Sequence, residues 1–215
     1  MKQLFIFDVD GTLVNSKAGL VCALSETFKQ VFNVTVPQNE LYQFAGSQFN
    51  FLVSEFVGTC SAELHKKAEK FFSDLYYGKY SKHLGMFEGV SEVLPQLQSK
   101  VYLATATNMS QNGVENLFAV LGIDHLFNKI VGTDRFSSAK PNPDILYKSM
   151  DELGVSKENT IMFGDTPTDI HAGKNAGVKT VALVYGKHIP SMIETAKPDY
   201  IFQSFHDVLT LVNER

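Results

Sequence analysis

Two carboxylates, Asp8 and Asp10, stand at spacing i, i+2 where the apolar run Leu4-Phe5-Ile6-Phe7 stops, and Gly11 and Thr12 follow at once. On an extended chain that spacing turns both side chains to one side. Two like charges about 4 Å apart repel by about 4 kcal/mol at an effective dielectric of about 20, so something must offset the pair. A divalent cation is the simplest candidate, and an oxygen-only donor set suits Mg²⁺. Gly11 permits a tight turn, and Thr12 adds a hydroxyl and a backbone N–H beside the acids. Further along stand Thr105, Thr107 and Asn108, then Lys140 in Lys140-Pro141-Asn142-Pro143, then Gly164-Asp165 with Asp169 one turn later. Acids, hydroxyls and one lysine are the equipment of a site that handles phosphate with a cation.

Such residues need a scaffold that gathers them. Apolar runs at 3–8, 100–105, 128–132, 160–163 and 179–184 read as buried strands, with 200–202 as a short edge. Val101-Tyr102-Leu103-Ala104 and Val181-Ala182-Leu183-Val184 are continuous rather than alternating, as in parallel sheets covered on both faces. Helical faces lie between them. Val90, Val93, Leu94 and Leu97 share one, and Val114, Leu117, Phe118 and Leu121 share another that Gly122 ends. Ile145, Leu146, Met150 and Leu153 make a third, ended by Gly154. This alternation predicts an α/β fold with a doubly wound parallel sheet. Each polar group named above falls at or beyond a strand's carboxyl end, the edge where open α/β sheets bind ligands. The interval 15–81 holds helical patterns only, so an all-helical insertion is expected there, with 1–14 and 82–215 forming the sheet domain.

Composition sets the outer limits. The 215 residues carry a net charge of −4 with 44% apolar and 12% aromatic residues, which suits a packed globular protein. The only arginines are Arg135 and Arg215, which argues against nucleic acid or an acidic membrane as partner. Cys22 and Cys60 show no metal spacing and read as free thiols in a reducing compartment. No apolar run reaches about 18 residues, and Asp8 and Asp10 interrupt any leader-like stretch. A cytoplasmic protein, monomer or weak dimer, is the expectation.

Asp8-Val9-Asp10-Gly11-Thr12, Ala104-Thr105, Lys140 and Gly164-Asp165-Thr166-Pro167-Thr168-Asp169 resemble, in order, the four motifs of the haloacid dehalogenase-like hydrolase superfamily. The helical stretch 15–81 is similar to that superfamily's C1 cap, and Met86-Phe87-Glu88-Gly89-Val90 to its return into a Rossmann-like core. The tail from Ala172-Gly173 to Ala176-Gly177-Val178 looks most like phosphoglycolate phosphatases and their beta-phosphoglucomutase-like relatives.

The resemblance implies covalent phosphoryl transfer to water from a small phosphorylated metabolite. Asp8 is then the nucleophile that becomes an aspartyl phosphate. Asp10 protonates the leaving oxygen and later activates water, which requires surroundings that hold it protonated above the ordinary ~3.9. Gly11, Thr105, Ala106 and Lys140 are implied to hold the phosphate, Lys140 also steadying charge in the transition state. Thr107 and Asn108 compete with Thr105 for this role; Thr105 is favoured because it directly ends the strand. Mg²⁺ is implied on Asp8, Asp10 through its carbonyl, and Asp165, with Asp169 direct or through water. Gln43, Gly46 and Ser47 of the cap are candidate substrate readers.

Other chemistries fit less well. A haloacid dehalogenase lacks the second aspartate. A beta-phosphoglucomutase-like mutase expects a basic cap motif, yet no arginine occurs in 1–134. A phosphonoacetaldehyde hydrolase needs a cap lysine that 38–65 lacks. A receiver domain carries its phosphoacceptor after the third strand, and a binding-only module would not need the full acidic set.

Overall fold

The structure is a computed structural model that describes residues 2–44, 47–136, 138–185 and 189–212. The chain runs through β1 (Leu4–Phe7), β2 (Val14–Asn15), α1 (Lys17–Phe32), α2 (Gln38–Gln43), α3 (Phe49–Phe56), α4 (Ala62–Asp74), β3 (Gly85–Met86), α5 (Val90–Gln98) and β4 (Tyr102–Thr105). It continues with α6 (Gln111–Leu121), α7 (Asp144–Leu153), β5 (Thr160–Gly164), α8 (Pro167–Ala176), β6 (Lys179–Leu183), α9 (Ser191–Ala196) and β7 (Tyr200–Phe202). Two compact units result: Met1–Val14 with Met86–Arg215, and Asn15–Gly85.

In the first unit, five parallel strands lie in the order β4-β1-β5-β6-β7. After β1 the sheet grows first to one side, at β4, and then to the other, at β5. The topological switch therefore flanks β1, and the crevice past its carboxyl end is where the residues after Phe7 emerge. Side chains alternate along β1. Leu4 and Ile6 join Met162 and Ala104 in a cluster with Ile145, Leu146 and Met150 of α7 and Ala172 and Ala176 of α8. Phe5 and Phe7 sit with Phe163 and Phe205, and the Phe7 and Phe163 rings stack at 4.6 Å. All four residues of β1 are fully buried. At about 1.5–3 kcal/mol for each large apolar side chain, the strand that delivers Asp8 is firmly anchored. Continuous burial on both faces is what the unalternating apolar runs require. Gly122 and Gly154 end α6 and α7 in the left-handed region, as their positions predicted.

The expected strand at 128–132 is reduced to one bridge, between Ala104 and Lys129. Beyond it, side chains take over the backbone. Gln111 donates to the Ile130 carbonyl at 3.0 Å and accepts from Gly132 N–H at 2.9 Å, while Thr105 accepts from Val131 N–H at 2.7 Å. Backbone groups satisfied by side chains cannot also extend a strand ladder.

The second unit is helical and has its own core of Val21, Leu24, Phe28, Val36, Leu41, Leu52 and Val53. Ser61 caps α4 by accepting from Leu64 N–H at 3.2 Å. Ser16, the residue before α1, makes no side-chain cap bond and itself has helical dihedrals. Glu26 of α1 accepts from Lys79 at 2.7 Å and Tyr80 at 2.6 Å, tying the start of the unit to its end. Among the described residues, no helix is long and apolar enough to cross a membrane.

Candidate active site

The turn after β1 is built to let carboxylates approach one another. Asp8 N–H still donates to the Phe163 carbonyl, at 2.8 Å, so Asp8 is held as a continuation of the sheet. The Val9 carbonyl then gathers the N–H groups of Leu13 and Val14, both at 2.9 Å. Gly11 sits at φ +88°, and a β-carbon there would overlap the Asp165 carboxylate. Only glycine meets both demands. Thr12 donates from its hydroxyl to Asp165 Oδ1 at 3.1 Å.

Asp165 and Asp169 come from the junction of β5 and α8. Thr166 is the helix N-cap and Asp169 its reciprocal partner in a capping box, so the spacing Thr166-x-x-Asp169 fixes the aspartate by helix chemistry. Asp169 Oδ2 accepts from the Thr166 N–H at 3.0 Å and hydroxyl at 2.6 Å. Its other oxygen, Oδ1, accepts from Lys140 Nζ at 2.6 Å, and the same ammonium donates to Asp8 Oδ1 at 2.7 Å. A β-carbon on Gly164 would overlap Asp169, so this glycine too permits the close packing. Asn108 holds the Lys140 loop by accepting from Lys140 N–H at 3.1 Å. Asn108 competed for a phosphate role in the sequence, and its amide oxygen is a loop anchor instead. The Lys140 side chain is 2% exposed.

Electrostatics follow from that burial. Burial pushes the Asp8 carboxyl well above its ordinary value; Lys140 opposes the rise, and the charges of Asp169 and Asp165 add to it. Burial by itself would lower Lys140, but Asp169 and Asp8 outweigh it and hold its ammonium above the ordinary value. Carboxylate oxygens of Asp8, Asp165 and Asp169 lie within 4.8 Å of one another. When all three carboxyls are ionised they outweigh the single ammonium of Lys140. An all-oxygen cluster of net negative charge fits a hard divalent cation such as Mg²⁺. The Asp10 carboxylate is not part of this set, and the resemblance gave Asp10 a metal role through its carbonyl alone.

A pH dependence follows. Because the folded Asp8 value is raised, Asp8 contributes stability below its unfolded value near 3.8 and loses it as pH rises through the folded value. A cation that competes with that proton binds better as pH rises. The increase in Tm produced by millimolar Mg²⁺ over EDTA is therefore expected to grow from about pH 5 to pH 8 in a thermal-denaturation series. An increment independent of pH would contradict it.

Two of the implied phosphate donors are committed elsewhere. Thr105 is fully buried, and its hydroxyl accepts from Val131 N–H at 2.7 Å and donates to the Val131 carbonyl at 3.2 Å. The Ala106 N–H donates to the Phe7 carbonyl at 2.8 Å as one more rung of the ladder. Thr105 does end β4, opposite Phe7, but its side chain turns towards the segment at Val131, which takes up the hydroxyl. Thr107 stands two residues further, and its hydroxyl accepts from Met109 N–H at 3.2 Å, which leaves its own proton to give. In the helical unit, Gln43 and Ser47 are exposed; Gly46 lies outside the described residues.

Sequence reasoning missed the capping box, although its Thr-x-x-Asp spacing is legible. It also missed the anchoring of Lys140 by Asn108, for which no local signal exists.

Comparison with known proteins agrees with this geometry. Residues 5–183 match the family model described as haloacid dehalogenase-like hydrolase. A phosphoglycolate phosphatase from Pasteurella multocida is 30% identical over 219 residues, covering 98% of each chain. The pyrophosphatase PpaX from Halalkalibacterium halodurans is 31% identical over 212 residues, covering 96% of this chain and 95% of that one. A solved structure described as a predicted phosphoglycolate phosphatase from Haemophilus somnus superposes with a TM-score of 0.82 at 28% identity, over 99% of this chain and 98% of that one. The chain thus belongs to the haloacid dehalogenase-like hydrolase family and is an enzyme of its phosphatase kind.

Proposed function

We propose that this enzyme hydrolyses a small phosphomonoester, of the phosphoglycolate or sugar-phosphate type, with Mg²⁺ and through an aspartyl phosphate on Asp8. One observation carries the reading: the Lys140 ammonium lies between Asp8 and Asp169, with Asp165 folded onto the turn that follows Asp8. A buried carboxylate, a fixed positive charge and two further acids thus meet at one point of the sheet edge, which supports this reading.

Asp8 attacks phosphorus; its oxygen–phosphorus bond forms as the bond to the leaving alkoxide breaks, and Asp10 gives that alkoxide its proton. Asp10 then takes a proton from water, whose oxygen attacks phosphorus and frees Asp8. Lys140 holds one Asp8 oxygen and so directs the other towards substrate, while its charge offsets the negative charge that builds on the phosphoryl oxygens. Asp8, Asp165 and the Asp10 carbonyl, with Asp169 direct or through water, would hold Mg²⁺, which would supply further neutralisation of those oxygens. Thr107 supports the phosphate through its hydroxyl proton. The enzyme is further proposed to work in the cytoplasm, on substrates read by its helical unit.

The test is inorganic phosphate release from phosphoglycolate, a set of sugar phosphates and pyrophosphate, each with Mg²⁺ and with EDTA. Mg²⁺-dependent release from a monoester is the expected result. No release from any compound by a folded protein would overturn the reading, and a preference for pyrophosphate would overturn the substrate class. For the phosphate site, Thr107→Val is expected to lower kcat/KM about tenfold through the lost hydrogen bond. Thr105→Val is expected to cost about 1–3 kcal/mol of stability, since it strips a partner from the Val131 backbone, with KM little changed. The reverse pattern would return the role to Thr105.

A further inference from the structure

Tyr185 lies past the end of β6, outside the acidic cluster, and nothing in the mechanism above uses it. Its hydroxyl donates to the Thr12 carbonyl at 2.6 Å across 173 residues of sequence. Its ring stacks on Phe87, with centroids 4.1 Å and planes 12° apart. Thr12 is fully buried, so its carbonyl needs a donor. The turn's own N–H groups cannot serve, because those of Thr12, Leu13 and Val14 all point to the Val9 carbonyl. Phe87 N–H in turn donates to the Leu13 carbonyl at 3.1 Å. Two consecutive carbonyls of the turn are thus held from outside by one aromatic pair. The other side of Thr12 faces the chemistry, where its hydroxyl donates to Asp165 Oδ1. That bond occupies one oxygen of the carboxylate, and the glycine before Thr12 allows the carboxylate to lie against the backbone.

We propose that Tyr185, braced by Phe87, is a positioning residue: by holding the Thr12 carbonyl it aims Asp165 at the cation. The tyrosine acts through the Thr12 backbone and touches neither substrate nor metal. Burial, and then the charge of Asp165, hold its phenol above the ordinary value, so it keeps the proton it donates. Groups that orient a metal-binding carboxylate commonly change metal affinity about 10–100-fold when removed. The inference rests on the reading of Asp8, Asp165 and Asp169 as a cation site.

The experiment is Mn²⁺ titration of the intact, substrate-free protein, read from the electron paramagnetic resonance signal of free Mn²⁺. Tyr185→Phe keeps the ring stack and removes only the hydroxyl; it is expected to weaken Mn²⁺ binding about tenfold. Thr12→Val should do the same, and adding Tyr185→Phe to it should change little, because both act on one connection. Wild-type affinity in a folded Tyr185→Phe protein would overturn the proposal, as would full additivity in the double variant. Should Tyr185→Phe not fold, Phe87→Leu decides. It keeps the hydroxyl but loosens the brace, and a loss of about threefold or more supports the proposal, whereas no loss overturns it. A wild-type protein that binds no Mn²⁺ would instead sink the cation reading itself.

Discussion

Asp8→Asn is expected to abolish phosphate release while leaving a folded protein. The amide has the size and shape of the carboxylate, so the packing at the end of β1 and the Asp8 N–H bond to Phe163 survive. The amide is a poor nucleophile, and turnover should fall by about three orders of magnitude or more. Stability points the same way. Asp8 is a buried carboxyl whose value is pushed up, so making it neutral removes a desolvation penalty. Lys140 keeps Asp169 as a partner at 2.6 Å. The EDTA-treated variant should therefore melt within a few degrees of wild type but lose most of its response to Mg²⁺. Acid quenching during turnover with ³²P-labelled substrate separates this role from its competitors. Label should remain on wild-type protein and be absent from the variant. Labelled protein in the variant, or wild-type turnover, would exclude Asp8 as nucleophile.

Lys140→Met is expected to damage both stability and rate. The ammonium is buried and shared by two carboxylates, at 2.7 and 2.6 Å, and methionine fills similar volume without the charge. Removing one member of a buried ion cluster leaves the others uncompensated, at a cost of about 3–5 kcal/mol. For a chain of this size that is a fall in Tm on the order of 10 °C. The deficit has a definite pH dependence. Without Lys140 the Asp8 carboxyl rises further above its unfolded value, so the native state binds more protons than the unfolded state. Stability then falls as pH rises, and the gap to wild type should narrow as pH drops towards about 5. Mg²⁺ should recover part of the loss by supplying positive charge in place of the ammonium. Rate should fall by about 10²–10³ even with Mg²⁺, because the charge fixed at the phosphoryl group is gone. Circular dichroism melts across pH, with and without Mg²⁺, give the first result. A deficit that is the same at every pH would mean that Lys140 acts by packing alone.

Much of the scaffold was legible because its signals are local. Unalternating apolar runs mark strands buried on both faces, and four of the five expected strands of the core sheet form, as does the short edge at Tyr200–Phe202. The run at 128–132 fails for a reason that no local pattern contains. Its backbone is bonded by Gln111 and by Thr105, side chains that reach it only once β4 and α6 are in place. The same event explains the phosphate donors. Thr105 does end its strand, opposite Phe7, but the neighbouring segment takes its hydroxyl at Val131.

The family, the α/β class, the helical stretch after the first strand and the acids and lysine that the fold brings together were all legible in the chain alone. Those rest on residue type and short spacing, such as Asp8-x-Asp10 after an apolar run or Gly164-Asp165 four residues before Asp169. Tertiary structure alone decided what each side chain is bonded to. Lys140 meets Asp8 across 132 residues, Thr12 meets Asp165 across 153, and Tyr185 reaches Thr12 across 173. A hydroxyl or ammonium has few protons to give, and strand order and register decide which acceptor is near enough to take them. Periodicity records which face is buried, and it carries no information about which buried groups on distant segments will be neighbours.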